Sequence, residues 1–159
     1  MKKIRKISIT AMLALCLMSL GAVSVSAALA NYESEPNNYY DTANDAVLYE
    51  WDYGTNYGYL STMGDLDYWK ILTNSASYYN ISLYAPSPYL EYNVVILEKV
   101  PGQDGYTQVG RSYSINGIAS LSIPGVKSNG TIPQYYAVVY CNNGFHNAAP
   151  YKLIIDAVY

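Results

Sequence analysis

"YYNISLY", residues 78–84, alternates apolar and polar side chains without a break. In an extended chain successive side chains point to opposite faces, so Tyr79, Ile81 and Leu83 share one side and Tyr78, Asn80, Ser82 and Tyr84 the other. The first set is expected in a core and the second toward solvent. Working outward, the same period of two between turn signals predicts strands over about 46–51, 57–62, 67–73, 78–85, 92–99, 106–114, 118–123, 134–141 and 151–158. The punctuation is turn-rich: Tyr53-Gly-Thr-Asn, Met63-Gly-Asp, Ala85-Pro-Ser-Pro, Pro101-Gly-Gln-Asp-Gly, Pro124-Gly and Asn142-Asn-Gly. No segment carries a helical period. In "YYAVVYC", residues 135–141, both faces are apolar, which predicts a central strand. About eight to nine such strands imply an all-β fold, an antiparallel β-sandwich or jelly roll.

Ahead of the strands the composition changes. Lys2, Lys3, Arg5 and Lys6 precede an apolar run from Ile7 to Val25 that closes on Ser26-Ala27-Ala28, the pattern of a secretory signal peptide cut after Ala27. Leu15 is bulky where a lipid-transfer signal needs a small residue before Cys16, so no lipid anchor is expected. Residues 28–159 then form one secreted, extracellular domain, expected as a monomer. Setting the leader aside leaves five of the nine Lys/Arg against all twelve Asp/Glu, a formal charge near −7. That balance argues against nucleic acid and anionic membrane surfaces as partners. Cys141 becomes the single cysteine, so no intramolecular disulfide forms and stability must come from a core, a metal, or both.

From Ser8 through Trp69 there is no Lys or Arg, while Glu33, Glu35, Asp41, Asp45, Glu50, Asp52, Asp65 and Asp67 all fall in that range. Mutual repulsion destabilises a compact state unless a cation neutralises it or solvent separates the groups. Two subsets have the character of ligands: Glu33-x-Glu35-x-Asn37-Asn38, and Asp65-x-Asp67 in a Gly-started turn leading into "YWKIL". Calcium takes six to eight hard oxygen ligands of these kinds. Zinc fits poorly, because His146 and Cys141 are the only soft donors and neither is near the cluster. Composition leaves two readings open here, a calcium site and a solvated acidic edge.

"ESEPNN" at 33–38, "ANDAV" at 43–47, "GYLSTMGDLDYWKI" at 58–71, "YYNISLY", "YNVVILE" at 92–98 and "QYYAVVYCNNGFHNAAPYKLII" at 134–155 occur in an order and spacing that resembles the bacterial pre-peptidase C-terminal domain and the related collagen-binding domains of clostridial collagenases. The resemblance runs through nearly the whole expected mature chain. It implies a jelly-roll sandwich without catalysis of its own, appended in most relatives to a secreted peptidase. It also implies one Ca²⁺ ion, with Glu33, Glu35, Asn37 and Asn38 supplying an N-terminal segment of ligands and Asp65 and Asp67 a facing turn.

The expected function is therefore a secreted, calcium-stabilised, non-catalytic binding module whose partner is an extracellular polymer, collagen-like protein or polysaccharide. Tyrosine, at 20 of 159 residues, supplies rigid amphipathic contacts suited to such partners. Tyr78, Tyr84, Tyr136 and Tyr140 are the contact candidates. Two alternatives remain open: an accessory or docking partner of a separately encoded secreted peptidase, and a small hydrolase using the acidic cluster or a Cys141/His146 pair. No Gly-x-Ser-x-Gly elbow is present.

Overall fold

The structure, a computed structural model, describes residues 30–48, 54–100, 102 and 104–159. The leader expected over residues 1–27, together with Glu50 and Asp52, lies outside them. Ten strands form among the described residues: β1 (Ala30–Tyr32), β2 (Asn44–Ala46), β3 (Gly54–Gly58), β4 (Asp67–Ile71), β5 (Tyr78–Tyr84), β6 (Tyr92–Lys99), β7 (Tyr106–Ser112), β8 (Ile118–Pro124), β9 (Gln134–Cys141) and β10 (Tyr151–Val158). They build two five-stranded sheets, ordered β1-β3-β10-β5-β8 and β2-β4-β9-β6-β7. The fold is an all-β sandwich.

Strand β5 has the burial that its alternation requires. Tyr79, Ile81 and Leu83 are fully buried, whereas Tyr78 and Tyr84 stand exposed on the outer face. Opposite Ile81 and Leu83 in register lie Ile155 and Leu153 of β10 and Leu121 and Ala119 of β8. The second sheet meets this face with Trp69 and Ile71 of β4, Val94 and Ile96 of β6, and Tyr135, Ala137 and Val139 of β9. Full burial of one Leu or Ile side chain contributes about 1.5–3 kcal/mol, so this shared face is the main source of stability. Strand β9 occupies the centre of its sheet, and its outward residues Tyr136 and Val138 are buried as well.

Three expectations need correction. Pairing is not antiparallel throughout, because β1 runs parallel to β3 and β2 parallel to β4. The first four strands alternate between the sheets, so each same-sheet pair is joined by a crossover through the other sheet, as parallel pairing demands. The strand expected at 46–51 is instead Asn44–Ala46, with residues 49–51 outside the described range, and that expected at 57–62 is Gly54–Gly58. The latter stops early because the Tyr59 and Ser61 amides donate to the carboxylates of Glu33 and Asp65 and not to a neighbouring strand. Finally, β1 has no counterpart in the alternation pattern: three residues are too few to show one.

At the edge of the second sheet, β7 carries a bulge where Ile96 faces Gly110 and Leu97 faces Gln108, leaving Val109 extra. A Cβ on Gly110 would lie 2.5 Å from Leu121 Cδ1, so a larger residue there would require the Leu121 side chain of β8 to shift.

Candidate metal centre

The acidic segment connects the two sheets. Past β1, the Glu33 amide donates to Tyr57 O at 2.9 Å, extending the ladder to β3 by one bond. Four residues on, Asn37 O accepts from the Tyr68 amide of β4 at 3.0 Å. Between them the carboxylates are held by short-range bonds: Asn37 N donates to Glu35 Oε2 at 3.0 Å and Asn37 Nδ2 to Glu33 Oε2 at 3.1 Å. Glu33 Oε1 accepts from the Tyr59 amide.

Asp67 reaches the same place from the other sheet. It opens β4 with the parity of Trp69 and Ile71, so its side chain points inward with theirs and is fully buried. Oxygens of Glu33, Glu35 and Asp67 lie within 4.8 Å of one another, running from exposed Glu35 through half-buried Glu33 to buried Asp67. Neither carboxylate oxygen of Asp67 makes a hydrogen bond of ordinary geometry, although Glu33 and the Tyr151 hydroxyl are close enough to perturb it, and Oδ1 of fully buried Asn37 makes none either. Buried polar atoms are nearly always paired, and an ionised carboxylate left alone in the interior is especially costly. No Lys or Arg compensates, since the one ion pair among the described residues joins Lys127 to Glu98.

The electrostatics follow. Burial, and then the charge of Glu33, push Asp67 up to about 9. Burial also raises Glu33. Tyr151 is driven well above the ordinary phenol value, first by burial and then by Asp67 and Glu33. Its hydroxyl accepts from Trp69 Nε1 at 2.7 Å and donates to Glu33 Oε2 at 3.4 Å, so the base of the cluster is wired into the core. Gly58 leaves room for this: a Cβ there would lie 2.2 Å from the Tyr151 hydroxyl oxygen and 2.4 Å from Glu33 Oε2. Neither Gly58, Trp69 nor Tyr151 stands out in the sequence as a site residue; a Gly beside a Tyr/Glu crowd is visible only in three dimensions.

Of the six candidate ligands, Glu33, Glu35, Asn37 and Asp67 are brought together and Asp65 and Asn38 are engaged elsewhere. Asp65 Oδ2 accepts from the Ser61 amide at 2.6 Å and the Ser61 hydroxyl at 2.7 Å, and its Oδ1 from the Leu66 amide at 3.1 Å. Asn38 Oδ1 also accepts from Leu66 N, at 3.2 Å. These two side chains brace the 61–66 turn that delivers Asp67. The donor set that remains is all oxygen, three carboxylates and one amide carbonyl, which suits a hard cation of calcium's size.

The other candidates separate as clearly. Cys141 is buried, its Sγ 3.8 Å from Thr62 O and 3.9 Å from Met63 Sδ, and burial raises its thiol pKa. His146 is exposed, its Nδ1 accepting from the Ala149 amide at 3.0 Å, and no hydrogen bond joins it to Cys141. A nucleophile–base pair needs such a bond and an accessible, lowered thiol. Tyr78 and Tyr84 lie open on the first sheet. Tyr136 is only 9% exposed, because Tyr106 packs edge-on against it at 5.5 Å and Tyr40 lies on Tyr106 at 4.7 Å. Tyr140 is half-buried.

Among known structures the chain is similar to the pre-peptidase C-terminal domain of collagenase from Bacillus anthracis. The two share 16% identity over 80% of this chain and 94% of that one, with a TM-score of 0.49. No protein-family model matches the sequence, and no curated protein matches it.

Proposed function

We propose that this chain is a secreted, non-catalytic binding module whose β-sandwich is stabilised by one calcium ion held by Glu33, Glu35, Asp67 and the Asn37 side-chain oxygen. The observation that carries this reading is the pair of buried, unpartnered Asp67 oxygens facing two further carboxylates with no basic residue near. A bound cation would give those oxygens partners, cancel the repulsion among the three acids, and return Asp67 to its ionised form. Extracellular sites of this oxygen type commonly bind calcium with dissociation constants of about 10⁻⁴ to 10⁻³ M. Magnesium suits the site less, since it demands six close ligands and sheds water reluctantly. The partner is an extracellular polymer or a secreted peptidase, and binding, not turnover, is the activity.

Calcium titration by calorimetry, with melts in EDTA, calcium and magnesium, tests the reading. One ion per chain and a melting temperature raised by calcium more than by magnesium is the expected result. Melting temperatures that are the same in EDTA and in millimolar calcium would sink it.

A further inference from the structure

The outer face of the first sheet has an unusual composition for a solvent-facing β-surface. At the centre of the β5/β8 pair, Asn80 faces Ser122 and Ser82 faces Ser120. Serine and asparagine are poor strand residues, and a merely solvated face would favour Thr or Val. Tyrosine closes both ends of this stretch: Tyr78 opposite Pro124, and Tyr84 opposite Ile118. Between them lies a shallow, open groove of about 350 Å³ lined by residues 80–82 and 120–122. Tyr78 and Tyr84 are six residue steps apart along the strand, about 20 Å at 3.4 Å per step.

The groove floor has hydrogen-bonding capacity to spare. Ser122 Oγ donates to Asn80 Oδ1 at 2.6 Å, and the Ser82 and Ser120 hydroxyl oxygens lie 3.2 Å apart. A hydroxyl offers one donor and two acceptor positions and an amide two of each, so these bonds leave most positions open. The Tyr84 end continues across the sheet as a row in register: Lys152 beside Tyr84, Tyr57 beside Lys152, and Tyr32 beside Tyr57. The Tyr32 and Tyr57 rings stack at 5.2 Å, and Lys152 Nζ lies 5.6 Å from the centre of the Tyr84 ring.

Charge narrows the occupant. Lys152 and Asp156 are the only charged residues at outward positions on the paired segments of this sheet, and they cancel. On a chain otherwise strongly acidic, a neutral face lined by hydroxyls, amides and aromatic rings complements a ligand that is itself uncharged and rich in hydroxyls. Sugar rings have that character, with apolar C–H faces to lie on tyrosine and hydroxyls around the edge. Anionic polymers require an excess of cations, and here the single Lys152 is offset by Asp156 beside Asn80.

We propose that the groove along β5 and β8 binds a linear, uncharged polysaccharide, with Tyr78 and Tyr84 as stacking platforms at its ends and Asn80, Ser82, Ser120 and Ser122 as its hydrogen-bonding floor. This inference rests on the reading of the chain as a non-catalytic binding module and does not depend on the cation. Adsorption of the purified secreted chain to cellulose, chitin, xylan and β-1,3-glucan is measured beside collagen fibrils and polygalacturonate. Calorimetry follows with a soluble oligosaccharide of the polymer that retains it. A neutral glycan should retain the protein, and Tyr78→Ala and Tyr84→Ala should each weaken binding about tenfold, the loss expected for one aromatic platform. Tyr84→Phe, which keeps the ring, should bind nearly as wild type, and Ser120→Leu, which fills the groove, should abolish adsorption while the melting temperature stays close to wild type.

Retention by none of the neutral glycans, retention only by collagen or polygalacturonate, or adsorption indifferent to Tyr84→Ala and Ser120→Leu would each overturn the proposal. Failure of the underlying reading looks different: soluble sugar released from a bound polymer refutes the non-catalytic assignment while the groove stands.

Discussion

Replacing Asp67 with Asn isolates the charge at the base of the acidic cluster while nearly preserving shape. Asp67 is fully buried, and without a cation its carboxyl is pushed up to about 9 from an ordinary 3.8 by burial and by Glu33. The cation-free fold therefore holds a proton at neutral pH that the unfolded chain has released. For an acid raised in this direction, stability is greatest below pH 3.8, falls as pH rises, and levels off once the folded group also ionises near 9. From 3.8 to pH 7 spans about three pH units at 1.36 kcal/mol each, about 4 kcal/mol lost by the cation-free wild type. Glu33, raised by burial, acts in the same direction.

The amide that replaces the carboxyl in the Asp67→Asn variant does not titrate, so that loss disappears, offset by about 1–3 kcal/mol for burying an amide with incomplete partners. In EDTA at pH 7 the variant should thus match or exceed wild type by about 1–3 kcal/mol. In calcium the order changes, since a ligand at a hundredfold excess over its Kd stabilises wild type by about 2.7 kcal/mol and the variant has lost its deepest ligand. Urea melts followed by circular dichroism, in EDTA and in calcium at several pH values between those two pKa limits, measure both effects. Equal calcium responses in the two proteins, or a wild type in EDTA whose stability does not fall across that pH range, would refute the reasoning.

Three further substitutions test neighbouring steps. Gly58→Ala places a methyl group against the Tyr151 hydroxyl and Glu33 Oε2, so it should destabilise by about 1–3 kcal/mol, as overpacking does, and blunt the calcium response in the same melts. Lys127→Ala leaves the nearly buried Glu98 carboxylate without its ion-pair partner; because Lys127 is itself 40% exposed, the expected cost in urea melts is a discounted ~1–2 kcal/mol, smaller in high salt, which screens the exposed partner. Ile81→Ala empties a fully buried position at the centre of β5 and should cost about 2–5 kcal/mol without altering the shift that calcium produces.

How far the sequence can be read depends on where burial is one-sided. Strand β5 announces itself because its inward face is apolar and its outward face carries Asn80 and Ser82 between two tyrosines, so parity alone assigns its faces correctly; β6 and β10 are legible as strands although their outward faces mix apolar and charged residues. Strand β9 is legible as a strand and as central, but its two apolar faces hide the fact that Tyr136 is covered by Tyr106 and Tyr40, residues distant in sequence. Strands β1 and β2 are out of reach or misplaced because side chains, more than pattern, hold them. Asn31 Nδ2 donates to Asp45 O at 2.8 Å and to Asn56 Oδ1 at 2.9 Å, and Asn44 Oδ1 accepts from the Ser34 amide at 3.0 Å. Asp65 and Asp67 look equivalent in "GDLDYW"; only the turn, in which Ser61 and Leu66 occupy Asp65, separates the brace from the inward carboxylate.

The position of the cluster gives the cation a structural consequence beyond charge cancellation. Glu33 belongs to the first sheet through its bond to Tyr57, and Asp67 opens a strand of the second. An ion bridging them would join the two layers at the end where the chain crosses between sheets and where β1, only three residues long, has a single neighbour. The Trp69 indole, the Tyr151 hydroxyl and Glu33 Oε2 form one hydrogen-bonded series from the buried core to that junction. The glycan groove lies on the outer surface of β5 and β8, on the opposite side of the first sheet from Tyr151 and Leu153. A bound cation would thus act on the fold's integrity and a bound polymer on an already formed surface, so removing calcium should weaken adsorption only to the extent that it unfolds the domain.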